Sequence, residues 1–409
     1  MEITPAAAKP PNPFNPGSPV DPNDFVGRVQ ELENFRQKLR QTINGSLASM
    51  AVAGGYGIGK TSFLHKCKTI AEEQNALTIY FSLNEIDYLT RDRLARTLIR
   101  RTEEKVREEW ILRRIGHEVL KALSHVRIST QSGIEIGISQ DSEAAYPNLQ
   151  SALAAAWEIL KGSKTAIVFL IDEARLLERN RAELILYLRA VLEQLQLIHI
   201  PVMIVPAGKL TISGPTGSGF SPLVRTFHPV ILTNFNREET CAFINKKLSG
   251  AGFSIKQDIF DKIYEVTEGH PYVLSAYMAY AYDKLQAGEN QLNELHFKAA
   301  DVDFVTRILS PFFSRFYDQS SKMSKKILEI MSANAKGESS LSHLTQTLKK
   351  DNNELSPYLA KLVQDGVIFR IDRGKYGLFH HLLGKYVQEH VKESREMPKI
   401  APEQNQNTS

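Results

Sequence analysis

Short apolar runs alternate with amphipathic stretches along residues 25–232, and this alternation predicts a parallel β-sheet with helices between its strands. The run at 166–171 is apolar at every position, which is typical of a central strand buried on both faces. Strands are expected at about 47–53, 76–82, 166–171, 200–207 and 228–232, and helices at about 29–42, 61–74, 91–125, 147–161 and 180–196. The predicted fold class is therefore α/β.

Three segments depart from this alternation. Residues 126–139 alternate around a Gln-Ser-Gly turn, which predicts a β-hairpin serving as a structural flap or a partner contact. Only helical patterns are found from Arg237 to about residue 365, which predicts a helical lid. Residues 323–391 show three helices and then two short strands around Asp372–Lys375, the order typical of a winged helix-turn-helix.

Composition marks the expected domain boundaries. Residues 1–24 contain seven prolines, so they are expected to form an extended arm laid over the core. The last residues are polar and are expected to be disordered. The predicted divisions are an arm at 1–24, a core at 25–235, a lid at 236–320, a winged helix at 321–391 and a tail at 392–409.

Bulk composition excludes several classes of protein. The 409 residues are 42% hydrophobic and 23% charged, as expected for a globular protein of two or three domains. No uncharged apolar run approaches the roughly 18 residues of a membrane span, and the amino terminus lacks the pattern of a signal peptide. Two cysteines suit a reducing compartment, so a cytoplasmic protein without membrane contact is expected.

A glycine-rich motif supplies the first candidate chemistry. Residues 54–61 match G-x-x-x-x-G-K-[ST], a phosphate-binding loop, between a predicted strand and a predicted helix. Main-chain amides and the helix amino terminus would cradle a triphosphate, Lys60 would reach the outer phosphates, and Thr61 would bind Mg²⁺. The alternative is a glycine-rich turn with an unrelated lysine. The candidate binding residues are Gly54, Gly55, Tyr56, Gly57, Ile58, Gly59, Lys60, Thr61 and Ser62.

Two acids end the most apolar strand. Asp172 and Glu173 follow the run at 166–171, and the carboxyl ends of parallel strands form the ligand-binding edge of an α/β sheet. Asp172 is expected to hold Mg²⁺ through water, and Glu173 to polarise an attacking water. A strand that simply ends in a solvated Asp-Glu pair is the alternative, and the phosphate loop disfavours it.

These motifs together resemble AAA+-type initiator ATPases and the related STAND signalling ATPases, with the winged helix pointing to the archaeal-type branch. The resemblance also involves Phe25-Val-Gly-Arg28 and Glu268-Gly-His-Pro271-Tyr272. It implies that Val26, Gly27 and Arg28 border the adenine and that Pro271 places the lid against the nucleotide. The alternative is that Pro271 is an ordinary proline at a helix start.

The resemblance also implies that Arg225 acts as an arginine finger on a neighbouring subunit; the alternative is a solvated loop arginine. One departure from the family is the strand ending near Lys209, which lacks the usual polar sensor. Asn245-Lys-Lys-Leu is not the N-K-x-D motif that selects guanine, so ATP is favoured over GTP.

The predicted function is an ATP-binding and ATP-hydrolysing switch, with Mg²⁺ as cofactor. ATP is expected between the sheet domain and the lid, so that hydrolysis moves the lid and the winged helix. Nucleotide-dependent homo-oligomers are also expected. The alternative is an ATP-dependent DNA-binding loader or regulator; a small-molecule kinase is disfavoured because no acceptor pocket is indicated.

The charge of residues 321–391 leaves the partner of the winged helix open. Eleven Lys and Arg stand against seven Asp and Glu, an excess of four, which is the same as the net charge of the whole chain. This excess is too small to establish nucleic-acid binding. DNA and a docked protein are therefore both retained as partners.

Overall fold

A computed structural model describes residues 10–83, 90–112, 128–129, 135–136, 148–174, 182–208, 227–286, 288–298, 304–334 and 336–396. The chain divides into two compact units. Pro19–Thr233 form one, called the sheet unit here. Met1–Ser18 together with Asn234–Ser409 form the other, called the helical unit.

The sheet unit is built on five parallel strands at the positions that the sequence predicts, and their order in the sheet is Leu77–Ser82 (β2), Ile167–Asp172 (β5), Val202–Gly208 (β6), Ser49–Gly54 (β1) and Phe227–Leu232 (β7). A separate pair, Ile128–Ser129 (β3) and Glu135–Ile136 (β4), joins antiparallel as the predicted hairpin requires. The strands are β1 (Ser49–Gly54), β2 (Leu77–Ser82), β3 (Ile128–Ser129), β4 (Glu135–Ile136), β5 (Ile167–Asp172), β6 (Val202–Gly208) and β7 (Phe227–Leu232). The helices are α1 (Val29–Ile43), α2 (Lys60–Glu73), α3 (Arg91–Leu112), α4 (Leu149–Leu160) and α5 (Ala182–Leu197).

Every residue of β5 is buried, because helices cover both faces of the sheet. Phe169 and its neighbours on one face of β5 pack in a cluster with apolar residues of α3, α4 and α5. Leu170 and Val168 on the other face pack with residues of α1 and α2. The unbroken apolar run at 166–171 therefore follows from this two-sided burial.

The strand order separates the two motifs of the candidate site. β6 lies between β1 and β5, so two strand spacings, about 10 Å, separate the phosphate-loop strand from the acidic strand. The helix after the phosphate loop, α2, contacts β5 as well as β1, and its first turn thus approaches the end of the acidic strand.

The helical unit contains the predicted lid and the predicted winged helix. Its helices are α6 (Arg237–Gly250), α7 (Phe260–Thr267), α8 (Pro271–Asp283), α9 (Glu294–Lys298), α10 (Ser310–Tyr317), α11 (Lys322–Ser332), α12 (Leu341–Leu348), α13 (Asn352–Gln364) and α14 (His381–Glu396), with a 3₁₀ turn at Gln257–Ile259 and a π-helix at Phe304–Ile308. Its strands are β8 (Ser254–Ile255), β9 (Gln291–Leu292), β10 (Glu338–Ser340), β11 (Ile368–Asp372) and β12 (Lys375–Leu378).

The expectation of purely helical structure between Arg237 and residue 365 is wrong in detail. β8 and β9 pair in parallel within the residues predicted as the lid, and β10 joins the hairpin of β11 and β12 in a three-stranded antiparallel sheet. β8, β9 and β10, which the sequence did not predict, have two or three residues each, too few to produce a readable alternation. The order α11, β10, α12, α13, β11, β12 fits the predicted winged helix.

Residues 10–24, the described part of the proline-rich arm, form no helix or strand, and turns close from Asn15 to Ser18 and from Asp21 to Asp24. Within the helical unit, Asn12 Nδ2 donates to the carbonyl of Ala279 at 2.9 Å, and the ring of Phe14, which is 4% exposed, lies 6.1 Å from that of Phe243. Among the described residues, no helix has the length and apolarity needed to cross a membrane.

Candidate nucleotide-binding site

The phosphate loop joins β1 to α2, and its glycines are required by its shape. Gly57 and Gly59 have φ values of 74° and 92°, a left-handed conformation that favours glycine. A Cβ at Gly54 would lie 2.7 Å from Cγ2 of Ile58 and 3.0 Å from the carbonyl oxygen of Leu232. A chance glycine-rich turn would need neither these positive φ values nor this close approach, so the backbone geometry favours the predicted phosphate loop.

The ammonium group of Lys60 lies across this loop. Its Nζ donates to the carbonyl of Gly55 at 2.7 Å and to that of Gly54 at 3.2 Å. Lys60 is also the first residue of α2, so its charge is close to the positive end of the helix dipole. Positive charge is thus concentrated where the sequence predicts phosphate oxygens.

Asp172 reaches the same helix start from the end of β5. Its carboxylate Oδ2 accepts a hydrogen bond from Thr61 Oγ1 at 2.7 Å, although 111 residues separate the two in sequence. Oδ1 accepts from the backbone N–H of Glu173 at 2.8 Å. Asp172 is 4% exposed, so its orientation is set by these contacts rather than by solvent. The structure therefore brings the two motifs together.

The donor set fits magnesium. Thr61 offers a neutral hydroxyl oxygen and Asp172 an anionic carboxylate, both of the hard oxygen type that Mg²⁺ prefers. They lie within hydrogen-bonding distance of each other at the positive end of α2. Thr61 and Asp172 are the two residues that the sequence predicts as metal ligands.

Glu173 leaves the strand in an unusual conformation. Its φ of 50° lies in the left-handed region, which costs a non-glycine residue about 1 kcal/mol or more. The next residue, Ala174, donates its N–H to the carbonyl of Ala207 on β6 at 2.8 Å. The chain thus turns sharply at Glu173, which remains half-buried beside Asp172.

Arg28 has contacts that the sequence does not predict. Its side chain is 4% exposed, and its Nη2 donates to the carbonyl of Ile58 at 3.4 Å and to that of Thr233. Nη1 lies 3.9 Å from Oε1 of Glu31. The guanidinium thus links the phosphate loop to the residue that follows β7. Gly27 and Arg28 both adopt positive φ. Contact between the segment 26–28 and adenine stays a prediction.

Two residues beside Asp172 were missed by sequence reasoning. Tyr80 on β2 donates its hydroxyl to Asp172 Oδ2 at 3.1 Å, and its ring meets that of His65 on α2 edge to face, with centroids 4.9 Å apart. Burial, and then the negative charge of Asp172, raise the pKa of Tyr80, which keeps the hydroxyl protonated. Burial lowers the pKa of His65, although the charge of Asp172 opposes that shift.

Of the other predicted residues, Ser62 accepts a hydrogen bond from the N–H of Val20 at 3.0 Å. Pro271 begins α8, where its missing N–H is not needed, and the preceding His270 caps that helix. The role of Pro271 toward nucleotide stays a prediction. Arg225 and Lys209 lie outside the described residues.

The fold and the joined motifs are of the P-loop ATPase type. Residues 24–154, a stretch that includes the phosphate loop, match the model of a family described as BREX system ATP-binding protein BrxC/D. That stretch is less than half of the chain. No curated protein matches the chain in sequence.

Solved structures confirm the fold. The chain is similar to the Walker-type ATPase PABY2304 of Pyrococcus abyssi, with a TM-score of 0.57 and 14% identity over 90% of this chain and 97% of that one. It is also similar to the ORC2 protein of Aeropyrum pernix, solved as ADPNP–ADP complexes, with a TM-score of 0.54 and 13% identity over 91% and 96% of the two chains. The predicted resemblance to archaeal-type and initiator ATPases is therefore confirmed at the level of fold.

Proposed function

We propose that the protein binds ATP with Mg²⁺ and hydrolyses it, and that the nucleotide state acts as a conformational switch. The observation that carries the proposal is the 2.7 Å contact between Thr61 Oγ1 and Asp172 Oδ2. This contact unites a glycine-constrained phosphate loop with an acidic strand end two strand positions away. The family described as ATP-binding and the ADPNP–ADP complexes of the similar ORC2 protein support the choice of nucleotide.

Each residue has a defined part in this proposal. Lys60 and the loop amides bind the β- and γ-phosphates, and bound Mg²⁺ supplies positive charge to the same oxygens. Asp172 and Thr61 hold the metal. Glu173 accepts a hydrogen bond from the attacking water and orients it, so its carboxylate is needed for turnover and not for affinity.

The switch is the finer part of the proposal. Loss of the γ-phosphate would release contacts that order the surrounding segments, and the lid and winged helix of the helical unit would then change position. Nucleotide-dependent assembly into homo-oligomers belongs to the same proposal, with Arg225 as the candidate group acting between subunits. The mass of the full chain in solution, with ADP and with a non-hydrolysable ATP analogue, tests the assembly.

Three substitutions, two in α2 and one directly after β5, test ATP binding and hydrolysis. We expect Lys60→Ala to lose binding of Mg²⁺–ATP by calorimetry, and Glu173→Gln to bind normally while phosphate release falls by about 10² or more. Lys68→Ala is the matched control, because Lys68 lies on the same helix, is 42% exposed and pairs with Glu72 at the surface. Wild-type protein without affinity for Mg²⁺–ATP would overturn the proposal, and equal turnover in wild type and Glu173→Gln would remove that role from Glu173.

The surface of the winged helix does not favour the DNA-binding alternative. Lys361 pairs with Asp365 at 3.0 Å and Lys375 with Glu338 at 2.6 Å, which reduces the positive potential on this module. Salt-dependent binding of duplex DNA by the full chain would still reveal it. A chain ending near Phe316 is unsuitable for that test, because the Phe316 ring packs 4.9 Å from that of Phe379.

A further inference from the structure

Asp172 accepts two hydroxyl hydrogen bonds on one oxygen, and only one of the donors is a predicted metal ligand. Thr61 comes from α2 and Tyr80 from β2, at 2.7 Å and 3.1 Å from Oδ2. The second oxygen, Oδ1, accepts the N–H of Glu173. The carboxylate is therefore oriented from three directions before any ligand is present.

The sheet register explains why Tyr80 reaches this carboxylate. In the parallel pair of β2 and β5, Ser82 is aligned with Asp172 and Tyr80 with Leu170. Aligned residues project to the same side of a parallel sheet, and residues two apart share that side. Tyr80 packs against the same apolar cluster that contains Leu170, and its long side chain extends along the strand direction to Asp172.

The ring of Tyr80 is itself held in place. His65 meets it edge to face at an interplanar angle of 73°, and Tyr80 is half-buried. His65 lies four residues after Thr61 on α2, so both side chains project from one face of that helix. The helix that supplies the hydroxyl ligand therefore also fixes the orientation of the tyrosine.

We propose that Tyr80 is a positioning residue that holds the Asp172 carboxylate in the orientation needed to serve the magnesium of a bound nucleotide. The inference rests on the proposed function. The Tyr80 hydroxyl donates to the carboxylate and is not a predicted metal ligand. It therefore holds the orientation of the carboxylate whether or not the Thr61 hydroxyl also donates to it. Groups of this kind, which contact a ligand residue and not the metal, commonly change metal affinity by about 10- to 100-fold when removed.

The test is Tyr80→Phe, which removes one oxygen and keeps the ring in its contact with His65. The probe is a fluorescent non-hydrolysable ATP analogue, titrated first in excess EDTA and then at fixed analogue with increasing Mg²⁺. We expect the metal-free affinity to be unchanged and the Mg²⁺ concentration for half-maximal enhancement of binding to rise about tenfold. Circular dichroism melting confirms that the variant is folded.

Tyr187→Phe is the matched control. Tyr187 is a half-buried tyrosine of the same unit, and its ring lies under the guanidinium of Arg91 at 4.5 Å. Removing its hydroxyl should leave both titrations at wild-type values. A Tyr80→Phe variant with wild-type Mg²⁺ dependence would overturn the inference, as would an equal loss of affinity with and without the metal.

The wild-type titrations separate the two proposals. A wild-type protein that binds no nucleotide at any Mg²⁺ concentration contradicts the proposed function and the role of Tyr80 together. A wild-type protein whose nucleotide affinity increases with Mg²⁺, beside an unchanged Tyr80→Phe variant, contradicts only the role of Tyr80.

Discussion

His380 gives the helical unit a predictable acid sensitivity. Its side chain is fully buried at the start of α14, where Nε2–H donates to the carbonyl of Thr267 at 3.0 Å and Nδ1 accepts from the N–H of Leu382 at 3.1 Å. Only a neutral imidazole satisfies both bonds, because a second proton on Nδ1 would face another donor. Burial lowers the pKa of His380 from 6.5 to about 4.

The magnitude follows from linkage between protonation and folding. The unfolded chain binds this proton near pH 6.5 and the folded chain only near pH 4, so the stabilising contribution is fully present above pH 6.5 and decreases as the pH falls toward 4. The free energy of unfolding should decrease by about 2 kcal/mol between pH 8 and pH 5, and by about 3 kcal/mol at pH 4.

Neighbouring groups also change the stability at low pH, so the contribution of His380 has to be measured against a variant that lacks it. Glu268 pairs with His381 at 2.7 Å and lies close to His380 and His270. Burial raises the pKa of Glu268, but the hydrogen bond from His381 and the charges of the histidines outweigh burial and lower it. Protonation of Glu268 therefore also decreases the free energy of unfolding at low pH. His380→Gln removes the titrating group and retains a donor for the carbonyl of Thr267.

Urea unfolding at pH 8, 7, 6 and 5 provides the assay. Circular dichroism at 222 nm follows both units, whereas tryptophan fluorescence follows the sheet unit alone, because Trp110 and Trp157 both belong to it. The variant should be less stable than wild type at pH 8 by about 1 kcal/mol and lack about 2 kcal/mol of the wild-type change between pH 8 and 5. Identical pH dependence of the helical-unit transition in the two proteins would refute the reasoning.

Two further substitutions have outcomes that the geometry decides. Gly269→Ala should destabilise the helical unit by about 2 kcal/mol or more in urea, because its Cβ would lie 2.0 Å from the carbonyl oxygen of Phe235 at a φ of +65°. Gly288→Ala, with a φ of +90° and no atom within 4 Å, should lose only about 1 kcal/mol, and equal losses would contradict the clash. Arg28→Lys should weaken binding of the ATP analogue about tenfold, because a lysine cannot bridge two carbonyls as a guanidinium does. The control Arg36→Lys changes an exposed ion pair and should leave the affinity unchanged. Unchanged affinity in Arg28→Lys would contradict the bridging role.

The sheet and the phosphate loop could be predicted because their signals are local. The apolar run at 166–171 marks a buried strand, and Gly54 to Thr61 are contiguous, so each motif is complete within a few residues. The strand order could not be predicted, because it depends on which distant strands pair. The contact between Thr61 and Asp172, and the position of Tyr80 beside it, depend on that order.

The segment predicted as a winged helix shows the same limit at a smaller scale. β10 consists of Glu338, Ser339 and Ser340, which carry no apolar pattern and become a strand only by pairing with β12. The tail was expected from residue 392, yet α14, whose residues Tyr386 and Val387 are buried, extends to Glu396. Pairing and burial override composition at both places.

The helical unit is assembled from two separate pieces of chain, Met1–Ser18 and Asn234–Ser409. Pro10 accepts a hydrogen bond from the hydroxyl of Tyr282 at 3.2 Å, and Phe14 fills a site against Phe243. Production of residues 234–396 by themselves would leave that site open to water. A synthetic peptide spanning residues 10–18, added in trans or fused by a flexible linker after residue 396, should restore the missing contacts, which makes this module a natural candidate for circular permutation.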